Sequence, residues 1–162
     1  MDLYGTLQQH NIRYQRTDHA AVYTCEEADR LLPDLPGAKT KNLFLRDRKG
    51  KRHFLVVVSG EKSVDLKALA KTLEVNSLGF ASPERLQKHL QLTPGSVSVL
   101  AVINDTDNAV ELVIDQAIWQ AESLQCHPLV NTATLVMPMT ELRRLLDILQ
   151  RPAKIIEITE KA

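Results

Sequence analysis

Two polar residues, Lys41 and Asn42, stand directly before the apolar run Leu43–Leu45 in the stretch GAKTKNLFLRD. Consecutive side chains of an extended strand point to opposite faces, so this spacing places Lys41 and Asn42 on different sides of a sheet. A lysine at the rim of a pocket can bind a phosphate or stabilise negative charge that develops on a substrate oxygen. The same spacing also fits the solvent-exposed end of an ordinary strand, and the stretch alone leaves both interpretations open.

Further polar or conformationally special residues stand at the borders of other apolar runs. They are Gly95, Asn104, Asp105, His127 and Asn131. Each has a structural explanation as well, because Asn and Asp favour turns and a lone histidine is more often hydrogen-bonded within the fold than catalytic. His19 and Thr24 could hydrogen-bond a hydroxyl group of a substrate, or they could be a loop histidine and a helix N-cap.

The cysteines give little support to metal or thiol chemistry. Cys25 and Cys126 lie far apart in the chain, with no C-x-x-C spacing and no nearby pair of histidines, which excludes the usual zinc spacings and a disulfide framework. Cys126 and His127 are neighbours, but on a strand they face opposite sides, so we do not expect a nucleophilic dyad. The glycine fingerprints of nucleotide enzymes and the serine-hydrolase elbow are absent too. We expect no metal and no cofactor.

The charge balance argues against a general surface for nucleic acid. Lys plus Arg and Asp plus Glu each number 20 in a chain of 162 residues, so any contact with nucleic acid must be local. The densest basic stretch, RDRKGKRH at Arg46–His53, predicts either a solvated hairpin turn around Gly50 or a lobe that contacts phosphates. Arg85, on the helix that begins at Ser82, is a further candidate for such contacts, although a solvated helix face explains it as well.

Length and composition predict one domain that spans residues 1–162. Hydrophobic residues make up 44% of the chain, and a chain of this size can fill a core. No apolar run reaches the roughly 20 residues that cross a bilayer, and no signal peptide is recognisable. We therefore expect a soluble protein of the cytoplasm without a membrane partner.

Hydrophobic periodicity and turn residues predict interleaved helices and strands. The predicted helices cover residues 2–10, Thr24 to before Pro33, 65–73, 82–90, a short stretch around Trp119, and 139–149. The predicted strands cover residues 12–17, 40–47, 52–59, 98–104, 109–115, 129–137 and 154–159. Two neighbouring pairs of strands, 40–59 and 98–115, have the pattern of hairpins, so the sheet must be mixed. We predict an α/β fold of the α+β type, a single domain with one curved mixed sheet surrounded by helices.

Four segments, taken in order, resemble the YbaK/ProRS-INS superfamily of aminoacyl-tRNA editing domains. They are KTKNLFL, TPGSVSVLAVIND, VELVID and HPLVNTAT, and the resemblance covers nearly the whole chain. The most similar branch is that of the free-standing Ala-tRNA(Pro) deacylases, the ProXp-ala or PrdX group. The resemblance implies a YbaK-like fold and a trans-editing deacylase that hydrolyses mischarged tRNA, above all alanine attached to tRNA(Pro). It also implies prolyl-tRNA synthetase or an elongation factor as candidate protein partners.

The resemblance assigns roles to matching residues. Lys41 corresponds to the essential lysine of the superfamily, Asn42 to the neighbour that helps to hold the 3′ end of the tRNA, and His127 to the histidine at the aminoacyl pocket. Gly95 begins the G-x-x-x-P loop, whose backbone lies against the scissile ester. The proline of that loop is replaced by Val99, and without the fixed φ of proline we expect the loop to be less rigid.

The residues leave the amino-acid specificity open. A synthetase pocket built for proline cannot firmly reject alanine, because missing methylenes are worth only about 1–3 kcal/mol, so a second site must exclude proline by volume. Leu31 and Leu32 are candidates to limit that volume, or they are ordinary core residues. One alternative is an editing enzyme for serine, threonine or cysteine mischarging, in which His19 or Thr24 would bind the substrate hydroxyl. The other is a non-catalytic module that binds tRNA or a synthetase.

Overall fold

The described strands of the computed structural model form two sheets, one of five strands and one of three. The structure describes residues 2–24, 26–27, 30 and 34–162. The strands are β1 (Gln15–Asp18), β2 (Thr40–Asp47), β3 (His53–Ser59), β4 (Leu78–Phe80), β5 (Val110–Asp115), β6 (Ser123–Cys126), β7 (Ala133–Pro138) and β8 (Ala153–Ile156). The helices are α1 (Leu3–Gln9), α2 (Leu66–Thr72), α3 (Pro83–Leu90), α4 (Gln116–Trp119) and α5 (Met139–Ile148), and a 3-10 helix covers Val99–Asn104. This arrangement confirms the predicted α/β fold class. None of the helices in the described ranges is both long and apolar enough to cross a membrane.

The larger sheet is mixed and has the strand order β4-β2-β3-β5-β8. β2 and β3 form the predicted antiparallel hairpin, in which Thr40 pairs with Ser59 and Arg46 with His53. Gly50 lies in the turn with φ +69°, a left-handed conformation that favours glycine. β5 joins β3 in parallel, and β8 joins β5 in parallel. The basic stretch around Gly50 is therefore a hairpin turn, which was one of its two interpretations.

The smaller sheet has the order β1-β7-β6 and is antiparallel throughout. An isolated parallel bridge between Ala38 and Leu124 joins it to the larger sheet. The curved sheet that we expected to be single is thus two sheets with a short connection. β6 was not predicted, because a strand of only four residues, Ser123–Cys126, is too short for hydrophobic periodicity to identify.

The two faces of the larger sheet bury two separate clusters of apolar side chains. The inner core lies between the sheets and includes Leu55 of β3 and Leu135 of β7. The outer core lies on the opposite face and includes Phe54 of β3 and Leu69 of α2. Neighbouring residues of β3 enter different clusters because side chains alternate along a strand. The same alternation fixes which residues of β2 face each cluster.

The second predicted hairpin, 98–115, is wrong, because the structure places a 3-10 helix at Val99–Asn104 in place of its first strand. The Ser98 hydroxyl accepts the Leu100 N–H at 3.2 Å and caps this helix. All residues of Val99–Ile103 are buried, and a short apolar run that is buried on every side has no period that separates a helix from a strand. β5 pairs with β3 instead.

A buried ion pair fastens the start of β5 to the segment after α5. Arg151 Nη2 lies 2.8 Å from Asp105 Oδ2, and the two side chains are only 6% and 3% exposed. Arg151 also donates to the Val110 carbonyl, and Asp105 accepts the Val110 N–H. Both charges are therefore compensated by hydrogen bonds inside the fold.

Replacement of Arg151 by methionine should strongly destabilise the protein, because the Asp105 carboxylate is then buried without its cation. Loss of one partner of a buried pair costs about 3–5 kcal/mol of unfolding free energy, which urea denaturation would measure. Arg52→Met is the matched control, since Arg52 and Glu111 lie 2.8 Å apart but are 40% and 48% exposed, and exposed pairs contribute little. Equal losses in the two variants would contradict this assignment.

Two histidines pack α3 against the hairpin of β2 and β3. The ring centroids of His53 and His89 are 4.3 Å apart, and Arg85 Nη1 lies 3.0 Å from His53 Nε2. Arginine can only donate, so His53 accepts at Nε2 and is neutral. Burial, together with the neighbouring His89 and Arg85, lowers the pKa of His53 from 6.5 to about 4.

The lowered pKa of His53 predicts a loss of stability as the pH falls. The contribution of neutral His53 is complete above pH 6.5 and is lost as the pH falls toward 4, because the unfolded chain then binds a proton that the fold disfavours. His53→Phe should weaken this pH dependence in urea denaturation series. Identical profiles for wild type and His53→Phe between these pH values would refute the assignment.

Candidate functional site

The two sheets meet where the segment before β2 runs beside β6. The Gln125 N–H donates to the Ala38 carbonyl at 2.9 Å, and the Thr40 hydroxyl donates to the Gln125 carbonyl at 2.7 Å. A regular parallel ladder would next join the His127 N–H to the Thr40 carbonyl, but this bond is absent from the backbone hydrogen bonds of the described residues. The parallel contact ends here, and we call the place between Asn42 on β2 and His127 after β6, where this pairing is missing, the strand gap.

The β2 side of the strand gap presents backbone groups that no strand pairs. The Asp47 N–H donates to the Arg52 carbonyl, so the odd-numbered residues of β2 direct their backbone groups toward β3. The even-numbered residues face the other edge, where the Phe44 carbonyl accepts the Ala81 N–H. β4 does not extend further along this edge. The backbone N–H and C=O of Asn42 therefore face the gap, without a backbone partner in the described ranges.

The Asn42 side chain has a polar atom without a partner. The strand alternation places it on the inner-core face of β2, with Phe44 and the cross-strand Val57. Its Oδ1 is buried and makes no hydrogen bond, and no other buried side-chain nitrogen or oxygen in the described residues is in this state. A buried acceptor without a donor costs about 1–3 kcal/mol, and such atoms are rare in folded proteins. Asn42 thus offers an unused acceptor beside the gap.

Lys41 lies on the opposite face from Asn42. It pairs with Val58 in an unbroken register, so its side chain lies toward the outer core. Its ammonium group has no hydrogen bond or ion pair with the described part of the chain. The strand has no bulge that would bring the two side chains to one face. Within the described residues, an unpaired cation and an unused acceptor therefore flank the start of β2 from two sides.

His127 is held in a neutral form with one nitrogen unused. Its Nδ1 lies 3.1 Å from the Ala133 carbonyl, and because a carbonyl only accepts, Nδ1 carries the hydrogen. Burial, assisted by the nearby His19, lowers the pKa of His127 below 6.5, although the Ala133 hydrogen bond opposes this shift. Nε2 consequently has a lone pair, and it makes no hydrogen bond with the described residues.

His19 has partners for both of its ring nitrogens. Nδ1 lies 2.8 Å from the Ala20 carbonyl, and Nε2 lies 2.9 Å from the Thr134 hydroxyl. Its backbone N–H donates to the Thr132 carbonyl. These contacts tie the segment after β1 to the start of β7, so His19 supports the wall that carries His127.

Gly95 lies against a residue that the sequence did not indicate, Tyr23. Gly95 has φ +93°, and a Cβ at this position would lie 3.1 Å from Tyr23 Cδ1 and 3.8 Å from Asn131 Nδ2. Any other residue would therefore be strained and would displace the ring. The Tyr23 side chain is 66% exposed. No sequence signal singled it out, because its role depends on the loop that packs against it.

Asn131 anchors the segment that carries this tyrosine. Its Nδ2 donates to the Val22 carbonyl at 3.0 Å, and its backbone carbonyl accepts the Val22 N–H. Asn131 lies before β7, which begins at Ala133 rather than within the predicted strand 129–137. Leu129 has φ +68°, which is incompatible with a regular strand.

Thr24 is a helix cap, and the proposed pocket leucines lie outside the described residues. The Thr24 hydroxyl accepts the Glu27 N–H at 3.0 Å, as a cap does, and Glu26, Glu27 and Arg30 are helical. Leu31 and Leu32 are not among the described residues, so their prediction as pocket walls stays a prediction.

Asn104 and Asp105 have partners away from the strand gap. Asn104 Nδ2 donates to the Leu90 carbonyl at the end of α3, and Asp105 pairs with Arg151. They follow the 3-10 helix and not a strand, so the structure does not bring them to Lys41.

Arg85 lies at the hairpin turn, at the other end of the larger sheet from the strand gap. It donates to the Gly50 carbonyl at 3.2 Å and contacts His53. His53 and Val58, the cross-strand partner of Lys41, are separated by about 17 Å along β3. Arg85 and the basic turn therefore form a surface separate from the gap.

Cys126 does not supply a nucleophile. It is buried in the inner core, and burial raises the pKa of its thiol to about 12, which keeps the group protonated. Nor do the described ranges contain a cluster of three or more side chains that could bind a metal ion.

Comparison with known proteins connects this site to a family. A model of the aminoacyl-tRNA editing domain matches residues 19–145, which include the strand gap and Gly95. The prolyl-tRNA editing protein ProX of Acetoanaerobium sticklandii is 38% identical over 152 residues, covering 94% of this chain and 93% of the relative. The prolyl-tRNA synthetase associated domain-containing protein 1 of Danio rerio is 34% identical over 143 residues, covering 87% of this chain and 77% of the relative.

Solved structures agree on the fold. The structure of a hypothetical protein matches with a TM-score of 0.77 and 16% identity, covering 99% of this chain and 100% of the other. A candidate trans-editing enzyme for prolyl tRNA synthetase matches with a TM-score of 0.69 and 18% identity, covering 99% and 96%. These comparisons confirm the resemblance indicated by the motifs: the chain belongs to the family of aminoacyl-tRNA editing domains.

Proposed function

We propose that the protein is a trans-editing deacylase that hydrolyses the ester of mischarged tRNA(Pro), with Ala-tRNA(Pro) as its main substrate. Family membership identifies it as an aminoacyl-tRNA deacylase, and the relative with 38% identity is a prolyl-tRNA editing protein. The structural observation that carries the proposal is the strand gap, where Asn42 and His127 offer unused acceptors at the positions that the motifs predict.

The side chains and backbone around the strand gap could orient an aminoacyl ester, which is reactive enough to be hydrolysed without an enzyme nucleophile. An aminoacyl ester has a vicinal hydroxyl on the terminal ribose, so orienting the ester against water supplies a large share of the acceleration. We assign Lys41 to the terminal phosphate or ribose and to the negative charge that develops on the ester oxygen. His127 Nε2 would accept a hydrogen bond from the attacking water or the ribose hydroxyl. The backbone at Gly95 would lie against the ester.

Replacement of Lys41 by alanine should abolish deacylation of Ala-tRNA(Pro), with a loss of at least about 100-fold in kcat/KM, because removal of one charge-stabilising group has an effect of this size. The release of labelled alanine from tRNA(Pro) would measure it, and an unchanged circular dichroism spectrum would show that the fold is intact.

The matched control is Lys67→Ala, which removes the same charge from an exposed position on α2. This variant should keep wild-type activity. Retained activity in Lys41→Ala would remove Lys41 from the mechanism, and an equal loss in both variants would assign the effect to net charge.

The basic hairpin turn suits contact with the acceptor stem. Arg48, Lys49 and Lys51 belong to the turn, and Arg85 holds it from α3. This surface lies about 17 Å along the sheet from the partner of Lys41, and we assign it to the acceptor stem behind the 3′ end. Phosphate contacts of this kind position a nucleic acid without reading its sequence. We propose that the enzyme acts in the cytoplasm beside prolyl-tRNA synthetase or an elongation factor, which make or carry its substrate.

A panel of Ala-, Ser-, Thr-, Cys- and Pro-charged tRNAs tests the specificity. We expect Ala-tRNA(Pro) to be hydrolysed fastest and Pro-tRNA(Pro) to be spared, because a second site selects by excluding the larger amino acid. Deacylation rates at equal tRNA concentration would measure this order. Faster hydrolysis of a hydroxyl- or thiol-bearing amino acid would favour the alternative substrates, and binding without hydrolysis of any ester would favour the non-catalytic module.

A further inference from the structure

We propose that Asn42 Oδ1 is a subsite for the α-ammonium group of the amino acid carried by the tRNA. This assignment rests on the proposed function, and it specifies which atom of the substrate the side chain contacts. The protein would then require a free α-amino group, so it would hydrolyse aminoacyl esters and spare N-blocked ones such as peptidyl-tRNA.

The starting observation is that the fold does not satisfy this acceptor. Asn42 Oδ1 is buried without a hydrogen bond, and its neighbours on the same face, Phe44 and Val57, are apolar. The backbone groups of Asn42 also face the strand gap unpaired within the described ranges. The fold therefore supplies no donor to Oδ1, and we assign that donor to the substrate.

The depth of Oδ1 indicates which part of the substrate reaches it. Oδ1 is buried, so a small group suits it best, and the aminoacyl group is the small tip of the tRNA end. That tip carries one strong donor, the α-ammonium group, which has three N–H bonds and a full charge. Hydrogen bonds from a charged donor are roughly twice as strong as those between neutral groups, so the ammonium compensates the acceptor best.

The charges around the gap are compatible with a cation there. Lys41 leaves the strand on the opposite face, so its ammonium group would approach the ester from the other side of the strand. His127, on the other side of the gap, is neutral because Nδ1–H is donated to the Ala133 carbonyl and burial disfavours the charged ring. His127 therefore places no positive charge beside Oδ1.

The test compares two esters on two enzymes. One substrate is alanyl-tRNA(Pro), and the other is isobutyryl-tRNA(Pro), in which a methyl group of similar size replaces the ammonium. Asn42→Leu removes the acceptor while keeping the shape of the side chain. The different intrinsic reactivities of the esters cancel when the ratio of their kcat/KM values is compared between enzymes.

We expect the ratio of alanyl to isobutyryl hydrolysis to fall by about 10- to 100-fold in Asn42→Leu, the range for a charge-assisted hydrogen bond. Asn42→Asp retains an acceptor and should keep the preference for the ammonium, which also controls for a general effect of substitution at this position. An equal change on both esters in Asn42→Leu would overturn the proposal, since the side chain would then serve another part of the tRNA.

A binding measurement makes the result independent of turnover. tRNA(Pro) ending in an amide-linked alanine or isobutyrate is not hydrolysed, and wild type should bind the alanine form more tightly, with the difference lost in Asn42→Leu. Equal affinities in wild type would contradict the ammonium subsite. If wild type hydrolysed neither ester, the proposed function would fail, whereas the amide analogues would still decide whether Oδ1 binds the ammonium.

Discussion

The hydrogen bond from the Thr40 hydroxyl to the Gln125 carbonyl is the interaction on which the site depends. It ends the short parallel contact that begins at Ala38, because a side chain here takes the place of a backbone donor. Beyond it β2 follows the larger sheet and β6 the smaller one, and the inner core fills the space between them. A longer ladder would pair the backbone of His127 with the backbone groups of Thr40 and Asn42 that face the strand gap.

Strand alternation then separates the chemistry of two neighbouring residues. Lys41 and Asn42 occupy consecutive positions of a regular strand, so the cation and the amide oxygen lie on opposite faces. In the proposed function this separation lets Lys41 contact a phosphate while Asn42 contacts the ammonium group. The neutral state of His127 is compatible with the proposed ammonium subsite.

The sequence predicted the elements in which local pattern and tertiary structure agree. β2 and the basic turn were identified correctly, because alternating apolar residues and Gly50 favour the hairpin on their own. The segment Val99–Asn104 was misassigned, because uniform burial removes the periodicity that identifies a strand. The motifs indicated Gly95 and His127, but the unused acceptor of Asn42 and the contact with Tyr23 depend on long-range packing, which residue spacing does not encode.

The position of Val99 shows why the missing loop proline need not loosen the site. Val99 is the first residue of the 3-10 helix, directly after its cap Ser98. The first residue of a helix needs no intrahelical N–H bond, which is why proline fits at such a position. Here the Ser98 cap and the burial of Val99, which is 1% exposed, restrain the backbone that a proline ring would otherwise fix. The loop that begins at Gly95 is thus held at Val99 by packing and not by a proline ring. The replacement of proline by valine therefore does not by itself make this loop less rigid.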